Sequence, residues 1–133
     1  MDRIVIDAAG APPAIGPYSH AVLLDCGVAS LLYSSGQIPL APETGEIVSQ
    51  DVAEQTRRCL QSLAAICEAA RAKLQDAVRL TIYTTDLEAF SEINEAYGAF
   101  FQSEPPARVT IGVASLPKGA KVEVEAIVAV SRR

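Results

Sequence analysis

The chain has 133 residues and a mass of 14.0 kDa, so residues 1–133 are expected to form one domain. Apolar residues make up 50% of the chain and aromatic residues only 5%, which predicts a globular fold with an aliphatic core. Asp and Glu outnumber Lys and Arg by 16 to 11, giving a net charge of −5. This charge opposes contact with a phosphate backbone, so we expect no nucleic-acid partner.

The first ten residues lack the basic segment and long apolar stretch of a signal peptide. No apolar run approaches the roughly 18 residues needed to span a membrane. We therefore expect a cytoplasmic protein with no membrane partner. The three cysteines, Cys26, Cys59 and Cys67, match no metal-ligand spacing, and His20 is the only histidine, so no metal site is expected. The cysteines are expected to be small buried residues.

Three short strands are predicted in the first third of the chain, at residues 3–6, 21–25 and 31–35. Gly27 separates the last two apolar runs, which predicts an antiparallel pair. Residues 11–18 are rich in Pro and Gly and predict a loop. Residues 42–45 read as a turn.

The first helix is predicted over residues 50–72, because Asp51 followed by Glu54 forms a capping pattern ahead of an apolar stripe. A strand follows at residues 77–84. Residues 85–88 predict a second capping box and helix, with one apolar side formed by Leu87, Phe90, Ile93, Tyr97, Phe100 and Phe101. The segment 104–106, Glu-Pro-Pro, is expected to end that helix.

Two final strands, at residues 108–114 and 121–130, complete the order β-β-β-α-β-α-β-β. The predicted fold is α+β, with a six-stranded mixed sheet and two helices packed on one face. The other face of such a sheet has no cover within the chain. We therefore expect another subunit to bury it.

The last two strands carry the strongest candidate residues. Arg108, Thr110 and Gly112 alternate onto one face, and Glu123 and Glu125 share a face. If the two strands are neighbours, Arg108 and Glu123 approach each other on the face without helices. A guanidinium binds a carboxylate with two prongs, and a nearby Glu can move protons. The same spacing would equally produce a cross-strand salt bridge on a solvated face.

Two loop segments offer further polar groups. Tyr18 follows a Gly-Pro pair, and residues 34–39 leave a strand in a sharp turn, so they could line a pocket or serve only as turns. His20 fits a surface, packed or catalytic position equally well. No Gly-x-Ser-x-Gly elbow and no glycine-rich phosphate loop is present.

Four segments resemble the RidA/YjgF family of imine and enamine deaminases: 14–22 (AIGPYSHAV), 34–47 (SSGQIPLAPETGEI), 86–101 (DLEAFSEINEAYGAFF) and 106–128 (PARVTIGVASLPKGAKVEVEAIV). Together they cover most of the chain in the family's order. The resemblance implies a chorismate-mutase-like fold, a homotrimer with sites at the subunit interfaces, and no cofactor.

The resemblance also implies roles for individual residues. Arg108 corresponds to the Arg that binds the substrate carboxylate, and Glu123 to the acid/base group of the last strand. Thr110 takes the place of a Cys that many members have. The hydroxyl of Thr110 could hold a water molecule at this position. The remaining substrate-binding positions implied are Tyr18, Ser35, Gly36 and Asn94.

The activity implied is hydrolysis of 2-aminoacrylate, its tautomer 2-iminopropanoate, and 2-iminobutanoate to 2-oxo acids and ammonia. Two alternatives stay open at this point. One is an endoribonuclease or translation inhibitor, as other names used for the family indicate. The other is a protein that binds small carboxylates without turnover.

Overall fold

A six-stranded mixed sheet with two helices on one face makes up the computed structural model, which describes residues 1–131. The strands are β1 (Asp2–Ile6), β2 (Ala21–Asp25), β3 (Ser30–Ser34), β4 (Ala77–Thr84), β5 (Ala107–Gly112) and β6 (Val122–Val130). The helices are α1 (Val52–Ala69) and α2 (Phe90–Gly98). Short 3₁₀ turns occupy Leu74–Asp76, Leu87–Ala89 and Pro117–Gly119. The predicted α+β class and helix placement are confirmed.

The strand order across the sheet is β1-β2-β3-β6-β4-β5. Among the strands of the described chain, only β4 and β5 are parallel, and α2 provides the crossover that a parallel pair requires. The last strand, β6, pairs with β3 on one side and with β4 on the other, so it lies inside the sheet. The prediction that the last two strands could be neighbours is therefore wrong, because β4 separates β5 from β6.

Helix α1 begins where the sequence predicts. The carboxylate of the N-cap residue Asp51 accepts a hydrogen bond of 2.9 Å from the backbone N–H of Glu54. The helix ends at Ala69, slightly before the predicted boundary, and Arg71 then adopts a φ of 57° that a helix cannot continue. Its buried stripe packs on β6 and includes Cys59, Leu60, Leu63 and Ile66.

Helix α2 differs from its prediction at both ends. Asp86 makes no side-chain capping bond, and a 3₁₀ turn over Leu87–Ala89 precedes the α-helix. The helix ends at Gly98, so Phe100 and Phe101 lie beyond it. The Phe101 ring folds back to 4.7 Å from the Tyr97 ring, measured between centroids, which is why apolar spacing continues past the helix end.

The face of the sheet without helices, here called the open face, carries large apolar side chains in contact with solvent. Among them are Val5, Tyr33, Val109 and Ile111, each between 39% and 53% exposed. The opposite face is the core, where Leu80, Ile82, Val122 and Val124 are fully buried. Within residues 1–131, no helix is long and apolar enough to cross a membrane.

Candidate active site

A cleft of about 340 Å³ surrounds the carboxylate of Glu123. Strand β6 supplies Glu123, the end of β3 leads into Ser35 and Gly36, and the loop before β2 supplies Tyr18. The residues that line this Glu123 pocket are Ile15, Tyr18, Ser35, Gly36, Ile38, Pro117 and Glu123. Four of the predicted site residues thus meet at one place.

Backbone bonds hold the walls of the Glu123 pocket together. Gln37 and Val124 exchange backbone hydrogen bonds of 2.8 and 3.1 Å, which brings the segment after β3 onto β6. The Ser35 hydroxyl donates to the Ser19 carbonyl. Gly36 leaves room for the Glu123 carboxylate, because a Cβ at this position would collide with Oε2 of Glu123 unless that side chain moved.

His20 has a structural position behind this pocket. Its ring is buried; Nδ1 accepts a hydrogen bond of 2.9 Å from the Ala8 N–H, and Nε2 donates one of 2.8 Å to the Pro12 carbonyl. The His20 carbonyl accepts from the Ser35 N–H at 2.8 Å. Both ring nitrogens are thus occupied in tying the N-terminal loop to β2 and β3, which favours the packed position over a catalytic one.

The electrostatics of the Glu123 pocket raise the pKa of the Glu123 carboxyl group. Burial raises the pKa of Glu123 above its usual range, and the nearby charge of Glu125 raises it further. Glu125 lies two residues along β6 on the same face, and its Oε1 accepts a hydrogen bond of 3.1 Å from the Tyr83 hydroxyl. A raised pKa extends the pH range in which a carboxyl group carries a proton that it can donate.

Arg108 lies in a second cluster, beneath α2. Its Cζ atom is 4.9 Å from the centre of the Tyr97 ring and 5.6 Å from that of the Phe90 ring. In residues 1–131 no carboxylate or other acceptor bonds to its guanidinium. Three buried oxygen atoms on the neighbouring side chains also have no hydrogen-bond partner in the described chain: Asn94 Oδ1, Tyr97 Oη and Thr110 Oγ1. We call these residues the Arg108 cluster.

The structure corrects the predicted meeting of Arg108 and Glu123. Arg108 is paired with the buried Leu80 of β4 and so faces the helices, whereas Glu123 is paired with Tyr83 and lies on the open face. The predicted site residues therefore divide into two groups, one around Glu123 and one around Arg108. Glu123 and Thr110 of one copy are likewise on opposite faces and cannot hold one water molecule together.

Sequence reasoning missed the aromatic partners of Arg108. Phe90 and Tyr97 are seven residues apart on one helix face, and the sequence predicts them only as members of the apolar side of that helix. Asn94 lies between them on that face. A polar residue inside an otherwise apolar helix face is the sequence feature that indicates a binding site there.

The cysteines take no part in either cluster of site residues. Cys59 and Cys67 are buried as predicted, but Cys26 is exposed, which corrects that expectation for one of the three. Burial raises the pKa of Cys67 to about 12 and that of Cys59 above the usual thiol range. Both buried thiols therefore keep their protons and are poor nucleophiles.

Comparison with known proteins places the chain in a family. The family model described as Endoribonuclease L-PSP matches residues 8–130. Protein DfrA of Myxococcus xanthus is 47% identical over 127 residues, covering 96% of this chain and 95% of the relative. The human 2-iminobutanoate/2-iminopropanoate deaminase is 42% identical over 125 residues, covering 94% and 88%.

A solved structure agrees with this placement. The crystal structure of E. coli TdcF with bound serine is similar at a TM-score of 0.86 and 42% identity, covering 96% of this chain and 98% of that one. The matches extend across both clusters of site residues. The chain belongs to the RidA/YjgF family, whose family model carries the Endoribonuclease L-PSP description.

Proposed function

We propose that this protein hydrolyses 2-imino acids and their enamine tautomers, such as 2-iminopropanoate and 2-iminobutanoate, to 2-oxo acids and ammonia. The observation that carries the proposal is the Arg108 guanidinium, partly buried against two aromatic rings and without an acceptor among residues 1–131. An anionic partner stabilises a partly buried cation, and the planar fork of Arg fits a carboxylate. A small carboxylic acid is therefore the ligand that best fits this cluster.

Glu123 supplies the proton chemistry in this proposal. Water attacks the imine carbon, the C=N electron pair moves to nitrogen, and the carboxyl group of Glu123 gives nitrogen a proton. The carboxylate takes a proton back from the added water and delivers it to nitrogen as the C–N bond breaks. The second proton of the water returns to Glu123 as the C=O bond forms. Ammonia therefore leaves with the imine hydrogen, one proton from Glu123 and one from water, and the oxygen of the water becomes the 2-oxo group. The imine carbon is already electrophilic, so positioning and proton transfer suffice.

A site that uses both Arg108 and Glu123 requires two copies of the chain. Within one copy the sheet lies between them. We propose a homotrimer in which the Arg108 cluster of one copy meets the Glu123 pocket of the next. The exposed apolar side chains of the open face support this arrangement, because a stable monomer rarely leaves so large an apolar sheet face in water.

The names of relatives support deamination as the reaction. A human relative is named as an iminobutanoate and iminopropanoate deaminase, and TdcF holds serine, which is itself a small carboxylic acid. The family model's ribonuclease description has less physical support here. The net charge of −5 opposes binding to the phosphates of RNA.

A coupled assay with a threonine dehydratase tests the proposal. The dehydratase releases 2-iminobutanoate, and semicarbazide traps whatever imine persists. We expect the protein to increase 2-oxobutanoate formation and reduce the semicarbazone, and we expect Arg108→Ala and Glu123→Gln to lose both effects. If the wild-type protein leaves the amount of semicarbazone unchanged but binds 2-oxobutanoate, the result would instead support carboxylate binding without turnover. Cleavage of single-stranded RNA in a parallel reaction would support the ribonuclease alternative.

A further inference from the structure

The hydroxyl group of Tyr97 is buried without a hydrogen-bond partner. The residue is 6% exposed, and no atom within residues 1–131 bonds to its Oη. Buried polar groups in folded proteins are almost always hydrogen-bonded, because losing water without a replacement bond costs free energy. An unpartnered hydroxyl that is this deeply buried indicates a binding position for a polar atom of a ligand.

The other unpartnered oxygens lie along the same wall. Asn94 is between Phe90 and Tyr97 on one face of α2, and the Arg108 guanidinium contacts both of those rings. Thr110 follows Arg108 by two residues on β5 and so points to the same side of the sheet. Asn94 Oδ1 and Thr110 Oγ1 are also buried and unpartnered in the described chain. Three buried, unsatisfied oxygens thus lie on the same side of the sheet as the Arg108 guanidinium, which has no acceptor within residues 1–131.

We propose that the Tyr97 hydroxyl is a further binding group for the ligand carboxylate, to which it donates a hydrogen bond beside the two from Arg108. This inference rests on the proposed function in taking a small carboxylic acid as the ligand. A carboxylate offers about four lone-pair sites, of which a two-pronged Arg fills two. The hydroxyls of Tyr97 and Thr110 can donate to the remaining sites, and Asn94 Oδ1 can accept an N–H of the imine.

The Tyr97 hydroxyl is available as a donor at neutral pH. Burial raises the pKa of Tyr97, and the opposing effect of the Arg108 charge is smaller. The hydroxyl therefore keeps its proton beside a bound anion. The ring has separate packing contacts, with Phe101 at 4.7 Å and with Arg108.

Replacement of Tyr97 by Phe separates these two roles. Tyr97→Phe keeps the ring contacts and removes only the hydroxyl, which has no hydrogen bond to lose within residues 1–131. We expect the melting temperature to stay the same or rise. A hydroxyl that served only to stabilise the fold would behave in the opposite way, lowering the melting temperature when removed.

Binding of 2-oxobutanoate, a stable 2-oxo acid, provides the test through isothermal titration calorimetry. We expect Tyr97→Phe to weaken binding about tenfold, as the loss of one hydrogen bond to a charged group does. The methyl ester of the same compound is the matched ligand, and the ester should bind both proteins equally. Arg108→Ala is the reference for complete loss of the carboxylate site. In the imine assay, Tyr97→Phe should raise KM more than it lowers kcat.

Three outcomes would contradict the inference: equal 2-oxobutanoate affinity of wild type and Tyr97→Phe, an equal loss for acid and ester, or no binding of the acid by wild type. The first outcome leaves imine hydrolysis untouched, so it separates this inference from the proposed function. If the wild-type protein binds the acid through Arg108 and Tyr97 but hydrolyses no imine, the proposed deaminase function is contradicted and the binding role of Tyr97 is supported.

Discussion

Arg108 and Glu123 lie on opposite faces of the sheet, on strands that β4 separates. On β4, Leu80 is the partner of Arg108 and Tyr83 is the partner of Glu123, and these two β4 side chains point to opposite sides. Arg108 packs under the rings of α2, and Glu123 opens onto the face without helices. Any reaction that uses both side chains must combine two copies of the chain.

Mixing two inactive variants tests this relationship directly. Arg108→Ala and Glu123→Gln should each be inactive alone, but mixed trimers contain interfaces in which Arg108 from one copy meets Glu123 from the other. If the subunits combine at random in equal amounts, about a quarter of the interfaces are intact, because each is a head-to-tail contact. Activity of the co-refolded mixture should recover to that level. Absence of recovery, with mixed trimers present, would show that Arg108 and Glu123 do not act together in one site.

A charged side chain on the apolar open face should prevent the proposed trimer from forming. Ile111 is 43% exposed on β5, and Ile111→Lys would bury a charge at the proposed interface. Light scattering should show the wild type at three times 14.0 kDa and the variant at the monomer mass. Val28→Lys, at a position 82% exposed on the β2–β3 hairpin, is the matched control and should remain trimeric. A monomeric wild type at micromolar concentration would contradict the prediction.

Arg108 should not be replaceable by Lys. Lysine keeps the charge but loses the planar fork that binds both carboxylate oxygens. We expect Arg108→Lys to reduce kcat/KM for imine hydrolysis about 30-fold or more, which corresponds to about 2 kcal/mol. Arg108→Ala should be almost inactive, and both variants should melt near the wild-type temperature. Unchanged turnover in Arg108→Ala would remove the carboxylate-binding role.

A methyl group at position 36 should disturb catalysis more than stability. In Gly36→Ala the new Cβ would occupy the place of Glu123 Oε2, and the flexible end of the glutamate would move aside. We expect turnover to fall about tenfold to a hundredfold, as a displaced catalytic group does, with little change in melting temperature. Gly98→Ala, where the added Cβ has nothing within 4 Å, is the control and should keep full activity. Wild-type turnover in Gly36→Ala would show that the position of Glu123 is not critical.

The pH dependence of the reaction should respond to Glu125. Burial and the charge of Glu125 raise the pKa of Glu123, and removing that charge lowers it while burial keeps it above its usual range. If Glu123 donates a proton, activity falls as pH rises through this pKa. Glu125→Gln should therefore move the descending limb of the pH–kcat profile to lower pH. Glu68→Gln, on the exposed side of α1, should leave the profile unchanged; a profile of Glu125→Gln identical to wild type would exclude the coupling.

Local sequence patterns determined most of the secondary structure, because alternation, helical periodicity and caps act over a few residues. Strands β2 and β4 have the predicted bounds, and Asp51 caps α1 as expected. The Leu87–Ala89 turn and the early end of α2 were not predictable in this way, since the apolar spacing continues through both.

The grouping of the site residues was decided only by the tertiary structure. Alternation correctly placed Arg108 with Thr110 and Glu123 with Glu125, but it does not state which face of a strand meets the helices. On β5 the apolar residues Val109 and Ile111 face outward and Arg108 faces the helices, the reverse of an ordinary amphipathic strand. That choice follows from long-range pairing, because β5 is fixed in register by its parallel neighbour β4 and not by its own hydrophobicity.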